Sequence, residues 1–276
     1  MRLALTGVEC QIRVSRSRQF PGGGSMDWNQ ALLLMLAGIG TGIVGYGAGL
    51  ASLVSYPALL ATGLSPLAAN LTNTVAVSFS AVGGLLTSGP ELRPQRARVL
   101  HFAVAGTVGG AGGAVLLLST PPGTFAALVP WLIALASVAL LARPWLQRLR
   151  MPATHRHLGM NVFVAVVAVY GGYFGAAAGV VLLAGFGAVL RDPYRMLNAL
   201  KSVVVGAANL AASVIFAVLS VLGRAPVDWG SAVPLALGCL IGAVVSPPIV
   251  RRLPETGLRV GVGLAGLCLA GYLYLG

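Results

Sequence analysis

Lys201 is the single lysine of a chain that also carries 17 arginines, and it lies six residues past Arg195 inside an apolar run. An ammonium at bilayer depth costs roughly 2.5 to 3.5 kcal/mol on insertion scales and marks a functional candidate by default. Six residues are only ~9 Å of helical rise, so the same side chain could instead snorkel to an interface; both roles stand. Amides surround it in Asn198-Ala199-Leu200-Lys201 and at Asn209, and an earlier run offers Asn70-Leu71-Thr72-Asn73, with Ser78 and Ser80 further along. Such groups line a polar cavity and replace the hydration of an ion, or they cap helices and bond between them. No Asp or Glu lies inside an apolar segment, since Glu91, Asp192, Asp228 and Glu255 all fall between them. A carboxylate proton relay, a sodium site or a cation substrate is therefore disfavoured.

Other chemistry is sparse. No Ser/His/Asp, Cys/His or HExxH arrangement is present, so the chain is not expected to be an enzyme and no cofactor or metal is implied. His101 sits near a helix start and could titrate, although a lone interfacial histidine is more often structural, while His155 and His157 flank Arg156 as solvated charge. Cys10, Cys239 and Cys268 have neither metal-like nor paired spacing. Gly40-Thr41-Gly42-Ile43-Val44-Gly45 formally fits GxGxxG, but no acidic residue follows about 20 positions later, which removes a dinucleotide site.

The elements that position these residues follow from composition. The 276 residues are 57% hydrophobic and 9% charged, with a mean hydropathy of +0.88, where a soluble domain has about 25% charged residues. The reading is an all-α, polytopic membrane protein. Its +12 charge sits in short gaps between apolar runs, not along one helical face, which reads as a topology signal and argues against nucleic-acid binding. Apolar segments fall at about 31–62, 67–88, 99–119, 125–142, 158–190, 197–222, 230–250 and 257–275. About 20 residues span the hydrocarbon core, so six are single crossings, and the segments at 31–62 and 158–190 are too long for one.

Those two carry matching glycines. Gly42-Ile43-Val44-Gly45-Tyr46-Gly47-Ala48-Gly49 recurs 130 residues later as Gly172-Tyr173-Phe174-Gly175-Ala176-Ala177-Ala178-Gly179, and each window leads through a loop into an Asn-bearing helix. The chain reads as a duplication, 26–150 and 151–276. Residues 1–25 form a tail, either disordered or lying upstream of a start at Met26. Gly45, Gly47, Gly49, Gly175 and Gly179 are expected to break the first helix of each half, with short return pieces at 51–62 and 179–190; close packing of small residues is the competing role. Short, glycine-interrupted segments in matching positions of two halves point to a transporter's binding site. Pro57 has Gly187 in the matching position, so the shared break does not depend on proline.

An inverted repeat needs an odd number of crossings per half, and broken first helices give five. With residue 26 outside, Arg93, Arg96, Arg98, Arg143, Arg148, Arg150, Arg156, Arg191, Arg195, Lys201, Arg251, Arg252 and Arg259 lie on the cytoplasmic side, and Arg224 alone lies outside: 13 against 1. Eight unbroken crossings divide the basic residues less sharply, and the positive-inside rule selects the broken-helix arrangement.

With its duplicated order of glycine window, short return piece, loop and Asn70-Leu71-Thr72-Asn73 or Asn198-Ala199-Leu200-Lys201 with Asn209, the chain from Met26 to Gly276 resembles the sulfite exporter TauE/SafE family of bacterial and archaeal membrane proteins. Its glycine runs are less dense than the family's, with Ala48 in the first window and Ala176 to Ala178 in the second. The resemblance implies a multi-pass transporter of the cytoplasmic membrane that moves sulfite or organosulfonates outward without ATP hydrolysis. The expected substrate-binding residues are Asn70, Thr72, Asn73, Asn198, Lys201 and Asn209. Expected partners are a small anionic substrate, the lipid bilayer and, as an open option, a second copy in a homodimer. A membrane assembly subunit without transport, or a carrier of another small solute, remains the alternative.

Overall fold

The computed structural model describes residues 27–49, 51–87, 95–146, 156–190, 192–250 and 255–275. The expected N-terminal tail, Arg93, Arg148, Arg150, His155, Arg191, Arg251 and Arg252 lie outside them. Among the described residues the chain is all-helical: α1 Trp28–Ala48, α2 Ala51–Ala61, α3 Pro66–Thr87, α4 Arg96–Ser119, α5 Pro122–Leu141, the one-turn α6 Arg143–Leu146, α7 Arg156–Tyr173, α8 Ala178–Val189, α9 Tyr194–Val221, α10 Trp229–Val250 and α11 Glu255–Leu275. Five of these, α1, α4, α5, α9 and α10, are long and apolar enough to cross a membrane. The outward faces carry the large exposed apolar side chains, such as Leu36, Val108, Leu135, Val166 and Val214, which is what a lipid solvent requires.

Both long apolar segments are broken. The first breaks at Gly49, whose φ of +76° is left-handed and whose N–H bonds back to the Gly45 carbonyl at 3.0 Å. The second breaks at Gly175 and Ala177, with φ of +75° and +58°. After each break a short helix of 11 or 12 residues, ~16–18 Å at helical rise, folds back on its predecessor. A Cβ on Gly45 would meet Ala51 and one on Gly40 would meet Val54, and in the second half Gly185 faces Phe163. Each break thus forms a helical hairpin.

Long helices pack through small residues. Gly238 and Gly242 lie on the Met35 and Ile39 carbonyls of α1, and Gly109 and Gly113 of α4 lie on the Ala165 and Val169 carbonyls of α7. Met35 to Ala165 and Ile39 to Val169 are each 130 residues, so the two halves pack in the same register up to the breaks. The pattern of neighbours is preserved when the halves are exchanged: α1 with α10 matches α7 with α4, α3 with α10 matches α9 with α4, and α2 with α11 matches α8 with α5.

Direction shows that the exchange is an inversion. Within α4, α7 and α9 the contacts advance together, since Gly109 and Gly113 meet Ala165 and Val169 while Gly106 and Gly110 meet Val204 and Ala208. α1 and α10 advance together in the same way. α3 and α9 run antiparallel, because Ser213 near the end of α9 donates to the Thr74 carbonyl near the start of α3 at 3.0 Å, while Val77 and Ser80 line a common wall with the earlier Ser202 and Asn209. The two halves therefore have opposite senses, as an inverted repeat requires.

The register changes at the breaks. α1 continues to Ala48, whereas α7 stops at Tyr173, which corresponds to Ile43. α2 starts at Ala51 and α8 at Ala178, 127 residues on, and Asn70 and Asn198 are 128 apart. The second half thus breaks earlier, and its turn is longer, with four residues between α7 and α8 against two between α1 and α2.

Candidate functional site

α3 and α9 cross at the centre of the molecule, and the two breaks meet beside them. Gly49 and Gly179 stand backbone to backbone, so that a Cβ on Gly49 would lie 2.9 Å from the Gly179 carbonyl carbon and 3.0 Å from its Cα. Only glycine permits that approach, and only glycine accepts the φ at Gly49 without strain. Next to this contact lies a small, partly open cavity of about 50 Å³.

Its polar wall comes from Lys201, Ser202 and Asn209 on α9, Ser52 on α2 and Ser80 on α3. Gly45, Gly49, Gly175 and Gly179 expose backbone to it, and Val77, Ala81 and Val205 supply an apolar side. Among the described residues no Asp or Glu lines it. The periodicity of α9 explains the grouping: Lys201, Val205 and Asn209 are spaced by four and share a face, with Ser202 beside them. Lys201 is 3% exposed, and its Cδ lies 3.2 Å from where a Gly179 Cβ would be. Its stem therefore occupies room that the missing side chain leaves. Lys201 thus lies buried in the cavity wall.

The remaining expected residues stand around the cavity without lining it. Asn70 donates from Nδ2 to the Tyr173 carbonyl at 2.9 Å, closing the last turn of α7 from the opposite half. Thr72 Oγ1 accepts the Asp228 N–H at 3.0 Å and ties the start of α10 to α3. Asn73 Oδ1 accepts a short hydrogen bond from Ser55 Oγ on α2. Asn198 is buried one turn before Lys201, and its carbonyl accepts Ser202 Oγ at 3.0 Å. Of the expected break glycines, Gly49 and Gly175 carry the left-handed turns, Gly45 and Gly47 lie within α1, and Gly179 lies in the first turn of α8. Ala177, also left-handed, was not expected; the alanines that replace glycine in this window give no sign of it.

The cavity is placed asymmetrically along the molecule. α3 ends, and α4, α7 and α9 begin, at the arginine-rich end. The lining residues Val77 to Ala81 and Lys201 to Asn209 lie on that side of the Ser213–Thr74 bond. Toward the other end the buried rings of Tyr56, Phe125 and Phe174 pack with centroids 5.4 and 6.3 Å apart, and Phe125 meets Tyr173 at 5.8 Å. At the basic rim, Arg98 Nη1 pairs with Asp192 at 2.8 Å and lies over the Phe102 ring, which stacks on Phe186. Exposed Arg195 and His101 flank this rim.

Chemically, a buried ammonium with hydroxyl and amide donors beside the start of a helix suits an anion. The first N–H groups of a helix carry partial positive charge, and Ser and Asn donate to oxyanions at no cost in net charge. Serines 52 and 202 were not singled out from sequence, although Ser202 adjoins Lys201. Among the described residues no group of three or more His, Cys, Asp or Glu could hold a metal.

A protein-family model described as Sulfite exporter TauE/SafE matches residues 30–273. No curated protein and no solved structure matches the chain.

Proposed function

The chain belongs to the sulfite exporter TauE/SafE family, and from that premise we propose that it is a secondary transporter or facilitator of small sulfur-containing anions, sulfite and organosulfonates, acting in export across the cytoplasmic membrane of a prokaryote. The observation that carries the reading is the buried Lys201 in a central cavity that, among the described residues, no carboxylate lines. In a medium of low dielectric an ammonium of this kind repels cations and offsets the desolvation of an anion. Asn209, Ser52 and Ser80 complete the donor set, while Ser202 gives its hydroxyl hydrogen to the Asn198 carbonyl, and the first turn of α8 at Gly179 adds helix-start polarity. Asn198 stands on the approach to Lys201. Asn70, Thr72 and Asn73 act as positioning residues, holding α7, α10 and α2 against α3.

Basic residues such as Arg98 and Arg195 at one mouth raise the local concentration of anions there, and by the positive-inside rule that side is read as cytoplasmic. Export then starts from the end toward which the cavity lies. The test is flux of sulfite and of a short alkanesulfonate in proteoliposomes, with and without an imposed pH gradient. The reading expects uptake of both anions above protein-free vesicles, with mutual competition. Folded protein that moves neither anion would instead favour a non-transporting assembly subunit or another solute.

A further inference from the structure

A second buried cation lies beside the same helix. Arg143, at the end of the first half, is 2% exposed and heads the large fully buried side chains among the described residues. Counted along the sequence it is one of many topology arginines, which belong in water or at a lipid headgroup. Its Nη2 instead donates to Tyr194 Oη at 3.1 Å, at the first residue of α9. Tyr194, Asn198 and Lys201 stand at i, i+4 and i+7, which puts them on one face of that helix over two turns. The face is continuous with the cavity wall through Val205 and Asn209.

Asn198 adds an independent sign of a ligand. It is more than nine-tenths buried, and its Oδ1 meets no hydrogen-bond partner. An amide presents donor or acceptor by a half-turn of its last bond. A buried polar atom of this kind costs stability unless something bonds to it for part of the time. Arg143 and Lys201 are thus two buried cations, one bonded to the first residue of α9 and the other two turns along the same helix, and like charges in a low-dielectric interior favour an anion between them.

We propose that Arg143, held by Tyr194, forms with Asn198 a second anion station on the basic side of the cavity, which a small oxyanion occupies before it reaches Lys201. Guanidinium suits the task, since its planar donors match the oxygens of sulfite or a sulfonate in pairs. Tyr194, half exposed at the mouth, fixes the fork without adding charge. The inference rests on the anion-transport reading of the Lys201 cavity and adds a step to it.

The test is initial-rate uptake of sulfite into everted membrane vesicles, whose outer surface is the former cytoplasmic face, with vesicles lacking the protein subtracted. Arg143→Gln is expected to raise KM roughly tenfold, the size of one charge-assisted hydrogen bond, with maximal rate per folded molecule within about twofold of wild type. Arg143→Lys restores part of the loss, and Tyr194→Phe raises KM by less. A purely structural arginine gives the opposite pattern, lower maximal rate at unchanged KM, and that result overturns the proposal. If Arg143→Gln does not fold, Tyr194→Phe decides: an unchanged KM overturns it. Wild-type vesicles that take up no sulfite, or Lys201→Gln vesicles that match wild type, would overturn the underlying transport reading instead.

Discussion

At the scale of single residues, the polar groups of α3 and α9 divide by what they touch. Asn209 faces the cavity, whereas Thr72 is engaged by the Asp228 backbone. Removing each should therefore have different consequences. Asn209→Ala is expected to weaken anion flux several-fold with little change in thermal stability, because it takes a donor from the cavity. Thr72→Val removes the acceptor of a partly buried N–H and is expected to cost about 1 kcal/mol of stability while leaving the relative rates of sulfite and alkanesulfonate unchanged. Flux and thermal unfolding of the two purified variants in detergent measure both. Loss of selectivity in Thr72→Val would move that residue into the binding set. The amides themselves could be read in the sequence, but not this division. Asn70, Thr72 and Asn73 bond to residues 103, 156 and 18 positions away, and such partners have no local signature.

At the scale of elements, glycine does two jobs that composition cannot separate. Gly113 and Gly242 allow helices to touch, and Gly49 also supplies a left-handed turn. Gly187, by contrast, has open space where a Cβ would stand. Gly49→Ala is expected to destabilise the protein by about 2 to 4 kcal/mol, from overpacking against Gly179 and from the strained φ. Gly187→Ala in α8 is expected to be neutral or stabilising by up to about 1 kcal/mol. Thermal unfolding in detergent compares them, and equal effects would contradict the contact between the breaks. The existence of two broken helices followed from segment length and the recurrence of glycine. Where each break falls did not, because the 130-residue register of α1 and α7 becomes 127 between Ala51 and Ala178. The identity of the glycine windows extends past the point at which the structures diverge.

For the whole molecule, inversion of the two halves and the distribution of arginine make one joint statement about orientation. Odd crossings place the loops after α3 and before α9 on one side with most of the basic charge, and the turn holding Arg224 on the other. In a variant whose native cysteines Cys10, Cys239 and Cys268 are replaced by alanine, Arg224→Cys is expected to react with an impermeant thiol reagent on intact cells. Arg195→Cys should react only after permeabilisation; both side chains are exposed. The reverse pattern would invert the assigned direction of transport. This level was the most legible in sequence, since apolar run length and loop charge are properties of segments and need no side-chain partner.

In the proposed mechanism an anion crosses the membrane through the cavity walled by Lys201. The most direct measurement is sulfite flux in proteoliposomes holding equal amounts of folded wild type or Lys201→Gln. Glutamine keeps much of the stem and a hydrogen-bonding end but removes the charge, so flux is expected to fall at least about tenfold with the protein still inserted and folded. Wild-type flux undiminished by the substitution would contradict the claim.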